Sequence, residues 1–136
     1  MKRVMFAAGL ALLGGCAMND PVDTPAAEPD RASLSAALQG FEQAGPPVSC
    51  VNQRDLGDNR SAGEGAIIFR DRSGSRLWVN RPPAGCPSLD MGRALVTRTP
   101  STQLCRGDIA SVVDLTAGTQ YGACGLGDFT PYRRVR

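Results

Sequence analysis

The chain of 136 residues has no histidine, and its single lysine is Lys2. Without histidine there is no Ser-His-Asp triad, no Cys-His pair and no imidazole ligand for a metal. Without lysine beyond residue 2 there is no Ser-Lys dyad and no Schiff base in the body of the protein. Aromatic residues are also scarce, at 5% of the chain, so a folded unit of this size has a thin core. Paired carboxylates remain as a route to catalysis: Asp55 with Asp58, or Asp108, Asp114 and Asp128. A glycosidase needs two carboxyls facing each other across a cleft, and turn capping accounts for these acids more simply. Neither an enzyme nor a cofactor is expected.

No apolar run reaches the roughly 20 residues that a membrane-spanning helix needs. The one such run is short: Lys2 and Arg3 precede Val4 to Leu13, and small residues follow. That is the form of an export signal. Where the run ends, Leu13-Gly14-Gly15-Cys16 resembles the bacterial lipobox. The resemblance implies a diacylglyceryl group on the Cys16 sulfur, cleavage before Cys16 and acylation of the new amine. Several acyl chains, at about 0.8 kcal/mol per buried CH₂, make such an anchor durable where one chain is marginal. Ala17 rather than Asp follows the cysteine, which resembles lipoproteins sorted to the outer membrane, facing the periplasm.

Cleavage there takes away Lys2 and Arg3, so 13 of the 15 basic residues remain, all arginine, against 13 acids. The net charge is then near zero, which gives no ground for a nucleic-acid partner. Acids dominate from Ala17 to Pro47, where Asp20, Asp23, Glu28, Asp30 and Glu42 face only Arg31; from Val48 onward 12 arginines face 8 acids. The Pro/Ala-rich acidic stretch after Cys16 reads as a disordered tether. Behind it, Leu34, Ala37, Leu38 and Phe41 fall at i, i+3, i+4 and i+7, one apolar face of a short helix. Asp30 is placed to cap its start and Gly45-Pro46-Pro47 to stop it. The expected organisation is a signal at 1–15, an anchor, tether and helix at 16–47, and a domain at 48–136.

In that domain short apolar runs alternate with Gly, Pro, Ser and Asn, the pattern of an all-β fold. Strands are expected at 48–56, 66–70, 76–80, 94–99, 109–115 and 120–124, forming a small bent sheet or partly closed barrel of about six strands. Asp71-Arg72-Ser73-Gly74-Ser75 should close a hairpin, with Gly74 taking positive φ. Ile109, Ser111, Val113 and Leu115 share one face of the fifth strand, with Asp114 on the other. Pro82, Pro83 and Pro87 put Cys86 in a loop or at an edge. Cys50, Cys86, Cys105 and Cys124 make two disulfides in an oxidising compartment. Their spacing lacks the close C-x₂₋₄-C pair of a structural zinc site, so no metal is expected. Nesting Cys86–Cys105 inside Cys50–Cys124 would tie the first strand to the last, with the sequential pairing as the rival.

The segments CVNQRDL, WVNRPPAGCPSL, STQLCRGDI and GACGLGDF resemble a family of short four-cysteine proteobacterial lipoproteins of unknown function. That resemblance implies no catalytic residue and no ligand. Gly125-Leu126-Gly127-Asp128 lacks the surroundings of a nucleotide-binding loop and reads as a turn; Arg106-Gly107-Asp108 reads as a chance tripeptide. Arg70, Arg72 and Arg76 flank the hairpin, while Arg133, Arg134 and Arg136 crowd the last four residues. Placed on one face, these six would meet carboxylate or phosphate on an anionic envelope polymer. The expected function is thus a lipid-anchored, non-catalytic binding or structural module of the envelope, with an anionic polymer or an envelope protein as partner. The alternative is an anchored inhibitor that presents Ser73-Gly74-Ser75 to a lysozyme-like hydrolase.

Overall fold

A computed structural model describes residues 28–136 except Asp90. The lipobox, Cys16 and the tether as far as residue 27 lie outside the described residues. The described residues are predominantly β: among them one helix, α1 (Glu28–Ala37), is followed by ten short strands in three antiparallel sheets that do not close into a barrel. The strands are β1 (Phe41–Gln43), β2 (Cys50–Asn52), β3 (Leu56–Ser61), β4 (Ile67–Asp71), β5 (Arg76–Asn80), β6 (Ala94–Thr97), β7 (Gln103–Cys105), β8 (Ile109–Asp114), β9 (Thr119–Gly125) and β10 (Phe129–Arg134). The largest sheet runs β1-β10-β5-β4-β3; β2 pairs with β7, and β6-β8-β9 form the third sheet.

The centre of the large sheet is apolar on both sides, so β4 and β5 read as continuous runs (IIF, LWV) rather than as an alternation. Ile67, Phe69, Trp78 and Phe129 face the two smaller sheets and pack with Val51, Leu95, Leu104, Val112 and Leu126. The Phe69 and Phe129 rings meet at 5.5 Å between centroids, tilted by 57°, a favoured aromatic geometry. Ile68, Leu77 and Val79 point the opposite way, where Leu34 and Ala37 of α1 cover them together with Leu38, Phe41 and Tyr132. The helix therefore docks on its own domain, and β1 joins the sheet, so the packed unit begins well before residue 48.

Several local expectations are corrected. Asp30 lies inside α1, which begins at Glu28, and its carboxylate sits against Gly63, where a Cβ would collide with it. The helix ends at Ala37, and Gly40 at φ +77° turns the chain into β1. Phe41 thus reaches the same cluster as Leu34 and Leu38, but from a strand. The expected strand at 48–56 is two strands in different sheets. Between them lies a 3₁₀ turn at Gln53–Asp55, where the Asn52 side chain accepts a hydrogen bond from the Arg54 amide at 3.0 Å. In β8 the buried residues are Ala110 and Val112. Ile109 is exposed on the other face, and Leu115 lies beyond the strand in solvent.

The disulfides are Cys50–Cys105 and Cys86–Cys124, so neither the nested nor the sequential pairing holds. The reason is register. Cys50 stands directly opposite Cys105 in the β2–β7 pair, and β7 is a strand that the sequence pattern does not reveal. Cys86 is a fully buried residue of the Pro-rich loop, held by its amide donating to the Glu64 carbonyl at 2.7 Å, and meets Cys124 of β9 in the core.

Candidate functional site

The hairpin between β4 and β5 forms as expected, with Gly74 at φ +69°. Its organiser is Asp71, a buried carboxylate at the end of β4. Ser73 Oγ (2.8 Å), Ser75 Oγ (3.2 Å), the Arg76 amide (3.1 Å) and Arg76 Nε (3.5 Å) all donate to it. Burial alone would raise the Asp71 pKa. The donors from Arg76, Ser73 and Ser75 outweigh that and hold it below the ordinary carboxylate range. The tip is thus a rigid, hydrogen-bonded turn.

Beside this hairpin runs β10, which lies outside the six expected strands. It is an interior strand, bonded to β5 on one side and β1 on the other. Pro131 is tolerated because its carbonyl accepts from the Ala44 amide at 2.8 Å, while its missing donor falls just where β1 has ended. The registers place Glu42 opposite Arg133 and Arg133 opposite Arg76, with Asp71 flanking. Two arginines side by side on neighbouring strands repel, but here an acid closes each end of the row. Arg133 Nη2 lies 2.8 Å from Glu42, and Arg76 Nε lies 3.5 Å from Asp71.

Arg134 points to the other face of the sheet. Its guanidinium sits 4.9 Å from the Phe41 ring and donates to the Gly74 carbonyl at 3.1 Å. Arg76, Arg133, Arg134 and Arg136, with Ser75 and Glu42, line one open hollow of about 700 Å³ at this end of the sheet. The structure therefore brings together four of the six arginines. Arg70 lies along β4, half-buried, with its Nε unpartnered, and Arg72 is exposed in the turn without lining the hollow.

The candidate acids do local work. Asp108 accepts from the Cys105 amide at 2.7 Å, and Asp114 from the Thr116 and Ala117 amides at 2.8 and 3.0 Å. Those two backbone donors keep the Asp114 pKa low. Asp55 ends the 3₁₀ turn and Asp58 is exposed on β3, while Asp128 lies 3.4 Å from Arg106. Among the described residues, no group of three Cys, Asp or Glu is placed to hold a metal ion.

One residue escapes the sequence pattern altogether. Asn80, at the end of β5, is fully buried and clamps Gly127 from both sides. Its Nδ2 donates to the Gly127 carbonyl at 2.7 Å, and its Oδ1 accepts from the Gly127 amide at 2.9 Å. A polar residue closing an apolar strand is its only signal. No family model, no curated protein and no solved structure matches this chain.

Proposed function

We propose that the protein is a lipid-anchored, non-catalytic module of a bacterial cell envelope that meets an anionic polymer with the arginine-lined end of its five-stranded sheet. The observation that carries this reading is the β5–β10 pairing, which brings Arg76 of the hairpin beside Arg133, Arg134 and Arg136 in one hollow. The lipobox-like run ending at Cys16 supplies the anchor, on the outer membrane facing the periplasm, and the acidic stretch behind it the reach. Exposed charges act through a field screened within about 8 Å at physiological salt. Co-sedimentation of the protein with purified peptidoglycan sacculi should therefore be strong at low salt and fall steeply as salt rises. Arg134→Gln with Arg136→Gln should weaken it further. A protein that stays in the supernatant at low salt refutes the proposal.

The hydrogen-bonded tip at Ser73–Ser75 favours one second reading. A loop already rigid before binding loses little entropy on entering a cleft, as an inhibitor of a lysozyme-like hydrolase must. A lysozyme assay with wild type and with a Ser73→Ala, Ser75→Ala variant tests that reading, and unimpaired hydrolysis in the presence of wild type ends it.

A further inference from the structure

At the opposite end of the β5–β10 pair from the arginine hollow lies a second depression of about 360 Å³. Pro47 and Pro83 form apolar walls, and Arg81, Arg106, Asp128 and Thr130 bring polar groups to it. Its floor is fixed. Asn80 clamps Gly127, and Gly127 packs so closely on the Arg81 carbonyl that a Cβ there would collide. A concave surface with apolar walls, a few convergent polar groups and a rigid base is the usual form of a small-ligand site.

We propose that this depression binds a monocarboxylate on a short apolar stem. The charge count selects the anion: two guanidiniums and one carboxylate leave the site at +1. A single carboxylate neutralises it, whereas a doubly charged phosphate would leave excess negative charge facing Asp128. The arginines are available. Arg81 is exposed, and no salt bridge joins it to an acid among the described residues. Arg106 holds Asp128 through a single contact of 3.4 Å, with the Arg106 side chain 62% and the Asp128 side chain 40% exposed, and a pair open to solvent on its arginine side is weak. Asp128 Oδ1, the oxygen away from that contact, is buried without a hydrogen-bond partner, so Asp128 is poorly satisfied even with Arg106 in place. A ligand carboxylate offers the Arg106 fork a two-point partner that Asp128 does not provide.

The test is an NMR titration of the full-length ¹⁵N-labelled chain with N-acetyl-alanyl-alanine, its C-terminal amide and inorganic phosphate. The acid should give saturable shifts at the amides of Arg81, Gly127, Asp128 and Thr130, and the amide none. Arg81→Gln or Arg106→Gln should each weaken binding about tenfold. Asp128→Asn, which removes the competing carboxylate, should tighten it about threefold. That gain is something a merely structural Arg106–Asp128 pair would not produce. The proposal is overturned if the shifts do not saturate, if the amide binds as well as the acid, if phosphate binds more tightly, or if Asp128→Asn leaves the affinity unchanged or weaker. None of these outcomes depends on the arginine hollow or on the anchor.

Discussion

Replacing Asn80 with alanine removes both hydrogen bonds to Gly127 at once. Gly127 is itself buried, so its amide and its carbonyl are each left without a partner and without water. A buried backbone group stranded in this way costs roughly 1–3 kcal/mol, which puts the substitution near 4 kcal/mol for two groups, with a small cavity in addition. A domain of this size has roughly 5–15 kcal/mol of stability in all, so Asn80→Ala should be folded but fragile. In urea denaturation with the disulfides intact, the midpoint should fall by roughly 2 M or more at a slope near 1.5 kcal/mol/M. Gly127→Ala acts on the same contact by another route, since its Cβ pushes the loop off the Arg81 carbonyl. The double variant should therefore lose clearly less than the two single losses added together. A midpoint shift below about 0.5 M for Asn80→Ala at unchanged slope, or strict additivity with Gly127→Ala, would refute the assignment of Asn80 as the clamp of this loop.

The disulfide pairing is open to direct reading: peptides mapped without reduction should show Cys50 with Cys105 and Cys86 with Cys124, and a Cys86–Cys105 peptide would contradict the fold. Each loop so closed, of 55 and 38 residues' separation, stabilises by about 4 kcal/mol in the chain-entropy model, so reduction should cost most of the stability. Asp71 is held below its unfolded pKa, so its contribution is present above about pH 4 and lost as pH falls through the lower, folded value. In acid titrations of stability, Asp71→Asn should start lower and lose less between pH 4 and pH 2 than wild type; identical slopes would show that Asp71 is not linked to folding. Leu34→Asp should release α1 from Ile68, Leu77 and Val79 and speed amide exchange at 32–38 while β8 and β9 stay protected, whereas uniform acceleration would mean that the helix is not a separable layer.

The strands visible in the sequence were those whose local pattern and tertiary role agree. The 67–71 and 76–80 strands carry dense apolar runs around a turn that only glycine suits, and the hairpin follows from them. What was hidden depended on partners. A proline, a tyrosine and two arginines in β10 satisfy no strand pattern, and that segment is a strand because β5 and β1 flank it. The three-residue β7 has too little length for an alternation, and with it went the register that decides the cysteine pairing. β8 is apolar on both faces, so alternation alone could not say that Ala110 and Val112, rather than the larger Ile109 and Val113, turn inward.

The same dependence on partners governs the candidate site, and it changes how its charge should be counted. Six arginines in two separate stretches of the sequence suggest a field of six positive charges. Across the sheet, however, Glu42, Arg133, Arg76 and Asp71 form a row in which each arginine has its own acid, so the row as a whole is neutral. Arg134 is bonded to an uncharged carbonyl, and no acid lines the hollow beside it except Glu42, already engaged by Arg133. The net positive field at this end of the sheet therefore comes from Arg134 and Arg136, with Arg72 contributing from the turn. Arg76 and Arg133 act chiefly as cross-strand pairs that let β10 lie beside β5. An arginine count overstates the field because acids distant in sequence, Glu42 above all, reach the same row only once the strands are paired.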